Sequence, residues 1–180
     1  MKITITGMPG SGKTSVGKEL AKNLGLDFFS IGDFRGKMAM DRGITIEELN
    51  RIGETEDWTD KEADDYQKKY GETHENFIVE GRLAFYFIPD SIKIFLDVDL
   101  RKAAERVWRD PRPDEKKRAS VEDEMQAIIN RIESDKKRYL KYYGVDPHDK
   151  KQFDIVIDTT DISREETLEK LKEKIKTIPA

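Results

Sequence analysis

The sequence predicts an α/β domain in which helices flank a parallel β-sheet. Three observations carry this expectation. Five short runs rich in β-branched and apolar residues alternate with segments of helical periodicity, the pattern of repeated strand–helix units. A glycine-rich turn, Gly10-Ser11-Gly12, joins the first run to the first helical segment. The 180 residues suffice for one compact core without metal or disulfide support, and the chain has no cysteine.

Each element follows from local pattern. Lys2 to Thr6 alternates polar and apolar residues before Gly7 and reads as a strand. Lys13 to Leu24 reads as a helix with Val16, Leu20, Ala21 and Leu24 on one face and Gly25 as its C-cap. Asp27 to Ile31 is a second strand, after which Asp33 can cap a helix towards Met40. Thr45 and Glu48 form a capping-box pattern opening a short acidic helix to Arg51, and a polar helix spans Asp60 to Tyr70. Phe77 to Val79 and Ile92 to Leu96 are buried-type strands ending at Glu80-Gly81 and at Asp97. Helices are expected over Leu100 to Arg109 and Val121 to Tyr143, the second packing through Val121, Met125, Ile128 and Ile132. Phe153 to Ile157 is the last strand, ending at Asp158, and Arg164 to Ile175 a closing helix.

Composition excludes several classes. Hydrophobic residues are 36% and charged residues 39%, with both signs interleaved among apolar positions, which fits a globular rather than a disordered chain. The 33 Lys+Arg against 37 Asp+Glu leave a net charge of −4, which argues against a general nucleic-acid binder. No run reaches the length of a membrane span, and no signal-peptide pattern opens the chain. Without cysteine there is no thiol catalysis or cysteine zinc site, which fits a cytoplasmic protein. Small-molecule partners and a monomer are expected. Richness in Lys and Glu without Cys is also a thermophile-like composition.

The strongest chemical signal is Gly7-Met8-Pro9-Gly10-Ser11-Gly12-Lys13-Thr14, which matches G-x-x-x-x-G-K-[ST], with Ser15 directly after it. Glycines let several backbone N–H groups converge on one anion, and the following helix adds its N-terminal partial charge. Lys13 would reach the β- and γ-phosphates of a nucleotide and Thr14 would hold Mg²⁺. A GTPase switch is the first competitor, since Asp33-Phe34-Arg35-Gly36 fits D-x-x-G; no Asn-Lys-x-Asp guanine motif accompanies it. Glu80, at a strand end, is a candidate acceptor for Mg²⁺-bound water.

Phosphoryl transfer needs cations around the reacting phosphates. Arg35 and Arg82 follow the second and third strands, and Arg106 lies on the helix after the fourth. Between Arg101 and Arg118 basic residues outnumber acidic ones, which suggests a lid over anions at about 110–120. For each arginine alone, a solvated charged face is the alternative. Arg131, Asp135 and Arg138 share one helix face at i, i+4 and i+7, where the plain alternative is a surface ion pair between Arg131 and Asp135. His74 and His148 are expected at the surface. Trp58 either stacks on a base or anchors its segment, and Tyr139, Tyr142 and Tyr143 suit helix packing.

Together, Gly7 to Thr14, Ser30 to Arg35, Val79 to Arg82, Ile94 to Asp97, Arg131 to Tyr139 and Ile157 to Thr160 resemble the nucleoside monophosphate kinases, and within them the cytidylate kinases of archaeal type. The Arg131 to Tyr139 run most favours cytidylate over adenylate kinase. The resemblance implies a P-loop NTPase three-layer sandwich with a five-stranded parallel sheet. It implies a core of 1–32, 73–109 and 121–180, an acceptor-binding insertion at about 33–72 and the short lid. It implies ATP and Mg²⁺, with transfer to CMP or dCMP. Lys13, Arg106 and Arg138 would be catalytic. Ser30 and Arg35 would contact the monophosphate, and Arg82 its phosphate or base edge. Arg106 and Arg138 would straddle the phosphates, and Arg131 with Asp135 would reach the acceptor sugar. An adenylate kinase, a dephospho-coenzyme A kinase and a regulatory ATPase are the alternatives.

Overall fold

In the computed structural model, residues 1–111 and 117–178 are described. Arg112 and Lys116 of the basic cluster, and the middle of the expected lid, lie outside the described residues. Strands β1 (Lys2–Gly7), β2 (Asp27–Ser30), β3 (Phe77–Glu80), β4 (Ile92–Asp97) and β5 (Ile155–Asp158) form one sheet in the order β2-β3-β1-β4-β5, and every pairing is parallel. Crossovers are made by helices α1 (Lys13–Leu24), α2 (Ile31–Asp41), α3 (Ile46–Gly53), α4 (Trp58–Thr73), α5 (Ala84–Phe87), α6 (Leu100–Arg109) and α7 (Val121–Tyr143), and α8 (Arg164–Lys176) closes the chain. The five-stranded α/β fold is the one expected.

Alternation along β1 sets the two layers. Ile3 and Ile5 face α1 and α8, in a core with Leu20, Ile78, Ile94, Leu96 and Leu171. Thr4 and Thr6 face the other side, also buried, and their hydroxyls are satisfied by Ser91 Oγ at 2.9 Å and Gly81 O at 2.8 Å. Because β1 lies between β3 and β4, the chain leaves its carboxyl end where the strand order reverses, the usual crevice of such sheets.

Several boundaries differ from expectation for local reasons. Strand β2 stops at Ser30 because Ser30, not Asp33, caps α2, accepting the Asp33 N–H at 3.1 Å. The D-x-x-G stretch is therefore helical within α2. Helix α5 is unanticipated. Strand β5 starts at Ile155 because a 3₁₀ turn over Lys150–Gln152 precedes it and Phe153 packs on Phe85 and Phe95. The capping box of Thr45 and Glu48 is present at α3. Trp58 packs beside the Met38, Ala39, Ile46 and Leu49 cluster with Arg42 over its ring, so it anchors α2–α4 to one another. Tyr139 packs with Leu83 and Phe85.

His148 corrects a surface expectation. Its ring lies edge-on to Phe95, and both nitrogens are buried without a hydrogen-bond partner. Burial pulls its pKa down to about 4, and the charge of Arg82 adds to that effect. His74 is exposed and stacks on Tyr70. Among the described residues, no helix is long and apolar enough to cross a membrane.

Candidate active site

The loop between β1 and α1 forms one end of a cleft of about 1260 Å³. Gly10 and Gly12 have φ of 72° and 83°, which disfavour any side chain, and a Cβ on Gly10 would sit 2.7 Å from the Ala103 carbonyl. The backbone is thus curled tightly against α6. Within the loop, Ser11 Oγ donates to Met8 O at 2.8 Å and Lys13 Nζ donates to the same carbonyl at 2.7 Å. Pro9, Gly10, Gly12, Lys13, Thr14 and Ser15 line the cleft. Gly7 belongs to β1, where a Cβ would collide with the Leu96 carbonyl.

Glu80 and Ile78 share parity on β3, which turns the carboxylate towards the α1 side of the sheet. Glu80 Oε2 there accepts from Thr14 Oγ1 at 3.2 Å and from Ser30 Oγ at 2.6 Å. Two hard oxygen groups at the start of α1 match what Mg²⁺ takes beside nucleotide phosphates. Ser30 itself is 5% exposed, behind Glu80. Arg106 reaches back from α6 to Gly10 O at 3.3 Å, Thr159 O at 2.7 Å and Thr160 O at 3.2 Å. It therefore ties α6 to the phosphate loop and to the turn after β5.

Facing the loop is a cluster of guanidiniums. Arg82 donates to Gly7 O at 2.6 Å and to Asp135 at 2.7 Å. Arg138, 1% exposed in its side chain, donates to Asp135 at 2.6 Å and to both oxygens of Asp60. Arg35 also ion-pairs with Asp60 and donates to Asn50 Oδ1 at 2.9 Å and Thr59 O at 2.8 Å. Arg35 and Arg138 are thus pinned on one buried carboxylate in the cleft wall. Asp135 is 2% exposed, which sets aside the plain alternative of a surface ion pair with Arg131. Burial opposes its charge, but Arg82, Arg138 and Arg131 outweigh burial and hold the carboxyl well below the usual carboxylate range. Three guanidiniums against two carboxylates leave the cluster cationic, and Arg131 also lines the cleft.

Sequence reasoning did not single out Asp60, Asn50, Asp64 and Gln67, all of which line the cleft. Asp60, Asp64 and Gln67 stand at i, i+4 and i+7 of α4, a spacing that would have revealed a common face. Tyr143 OH donates to Asp64 Oδ2 at 2.5 Å, and burial pushes the Asp64 carboxyl up to about 6 despite that bond. Arg118 crosses to Glu47 of α3 at 2.6 Å and joins the stretch before α7 to the α2–α4 segment.

A parallel sheet of this order, a glycine-rich phosphate loop at its switch point and facing arginines define a P-loop kinase. Residues 2–161 match the cytidylate kinase-like family. The cytidylate kinase of Methanocella arvoryzae is 38% identical over 160 residues, covering 89% of this chain and 88% of that protein. That of Thermoplasma volcanium is 37% identical over 170 residues, covering 92% and 86%. Shikimate kinase from Bacteroides thetaiotaomicron shares the fold at a TM-score of 0.69 and 18% identity, covering 98% of each chain. The chain belongs to the cytidylate kinase-like family and is a nucleotide kinase.

Proposed function

We propose that this kinase transfers the γ-phosphoryl group of ATP directly to CMP or dCMP, giving ADP and the pyrimidine nucleoside diphosphate. The observation that carries the reading is that the phosphate loop and the Arg35, Arg82, Arg131 and Arg138 guanidiniums line one cleft, so two phosphate groups can be gripped from opposite sides. Family membership supports ATP as donor and a nucleoside monophosphate as acceptor.

In this reading the loop N–H groups and Lys13 hold the β- and γ-phosphates, and Arg106 fixes the loop against the turn after β5. Thr14 and Glu80 would hold Mg²⁺, which would supply charge neutralisation on the triphosphate when bound. Arg82 and Arg131 meet the acceptor phosphate. Arg35 and Arg138 act from the cleft wall, with Asp60 and Asp135 orienting them, and Ser30 supports Glu80. No residue has to act as base, because a phosphate monoester with a second pKa near 6 is already largely dianionic at neutral pH. The α2–α4 segment takes the acceptor, and the stretch at about 110–120 closes over the phosphates to exclude water.

The test is ADP release from ATP·Mg²⁺ with CMP, dCMP, UMP, AMP, GMP and dephospho-coenzyme A offered separately. Turnover should be strongest with CMP and dCMP. Turnover with AMP alone would replace the pyrimidine acceptor by a purine one. ADP release that ignores every acceptor would make the chain a regulatory ATPase.

A further inference from the structure

We propose that Asp64 and Gln67 of α4 select the acceptor by its base, reading an exocyclic amino group. This inference rests on the acceptor reading above and deepens it. Both side chains line the same cleft as the phosphate loop, on the helix face that also carries Asp60. Asp60 holds the Arg35 and Arg138 guanidiniums, and Asp64 and Gln67 follow about one and two turns further along the helix.

The hydrogen-bond inventory of the pair is what makes it selective. Gln67 Nε2 donates to Asp64 Oδ1 at 2.7 Å, and Tyr143 OH donates to Asp64 Oδ2. Gln67 is 1% exposed, and its Oε1 is buried with no partner. Turning the amide over does not relieve this, because Oε1 would then face a carboxylate oxygen, acceptor against acceptor. The amide orientation is therefore set by Asp64, and the buried atom of the pair left with no partner at all is an acceptor, Gln67 Oε1. A buried acceptor without a donor is a standing cost that a correctly placed N–H removes. Asp64 fits the same picture, since burial holds its carboxylate in a disfavoured charged state that an added donor stabilises.

Cytosine carries a 4-amino group with two N–H donors, whereas uracil carries a carbonyl at that position. Against Gln67 Oε1 and the Asp64 carboxylate, cytosine pairs and uracil sets acceptor against acceptor. Discrimination then comes from rejection of the wrong base as much as from attraction to the right one.

The test compares kcat/KM for CMP, for UMP and for the 2-pyrimidinone ribonucleoside monophosphate, which is CMP without its amino group, in the wild-type enzyme and in Gln67→Leu and Asp64→Asn. The wild type should prefer CMP over both others by about 10²-fold or more. Each variant should lower the CMP-to-UMP ratio at least about tenfold while the KM for ATP stays within about twofold. Wild-type turnover of the amino-free analogue equal to that of CMP would overturn the inference without any variant, so a folding defect in a variant cannot shield it. Folded variants that keep the wild-type ratios would overturn it as well. If AMP proves to be the acceptor, the pyrimidine reading fails alone; AMP against inosine monophosphate then scores the amino-group reading with the same variants. ADP release that ignores every acceptor overturns both.

Discussion

Consecutive residues build the phosphate loop, whereas the guanidinium cluster across the cleft draws on α2, α3, α4, the turn after β3, and α7. In the proposed reading the loop works through backbone N–H groups, and its side chains bond mainly to its own carbonyls. The cluster works through side chains that meet only after residues 35, 50, 60, 82, 135 and 138 converge. The contrast separates two kinds of dependence. Lys13 donates to a carbonyl of its own loop, so its removal is expected to cost chemistry rather than fold. The cluster lines the cleft and also ties helices together through buried ion pairs, so damage there is expected to reach stability.

The largest expected effect tests that second half. Asp60→Ala leaves two buried guanidiniums without their shared carboxylate, and denaturant melts should show a loss of about 3–5 kcal/mol. A loss under about 1 kcal/mol would show that Asp60 is not what holds Arg35 and Arg138. Lys13→Ala should reduce kcat about 10²–10³-fold with an unchanged melt. More than half the wild-type kcat in that variant would remove the contrast from the loop side.

A third prediction concerns pH at the back of the cluster. Burial lowers the folded-state pKa of His148 to about 4 from its usual 6.5, so the unfolded chain binds the proton first on acidification. Its contribution is intact above about pH 6.5 and is lost towards pH 4, up to about 3 kcal/mol. Asp64 works in the opposite sense, since its carboxyl is raised to about 6, and the folded state regains stability as pH falls below that value. The two partly cancel, so the measurement is the difference in stability between wild type and His148→Leu, which should shift in the variant's favour on going from pH 7 to pH 4. A difference that stays flat would mean His148 is not held neutral. The smallest effect is expected at the half-exposed Arg118–Glu47 pair, where Glu47→Gln should cost less than about 1 kcal/mol and lose even that at high salt. A larger loss would extend the cooperative cluster to the stretch before α7.

What could be read without coordinates follows the same division. The strands, α1, α7 and the phosphate loop were legible because their signals are local: alternation, periodicity and fixed spacing. Ser30 in place of Asp33 as the cap of α2 is a shift of three residues between two good capping residues. Four aromatic and small residues at α5 carry no measurable periodicity. His148 looked solvated beside Asp146, Asp149 and Lys150, and only Phe95, 53 positions earlier, shows that it is not. Asp60 and Asp64 read simply as part of a polar helix. Their meaning depends on arginines delivered from other helices and a tyrosine from α7, which no window on α4 contains.

The place of β1 in the sheet has a consequence for how the chain is made. Its neighbours are residues 77–80 and 92–97, so β1 gains its second partner only once residues 92–97, about 90 positions further on, have been synthesised. At about 5–20 residues per second that interval is roughly 5–20 s. During it the loop after β1 has no walls, although its residues are already translated. Contacts of such long sequence separation make closure of the sheet slower than formation of its helices. The threonines at positions 4 and 6, alternating with Ile3 and Ile5, keep the waiting strand from presenting an unbroken apolar ribbon to other nascent chains.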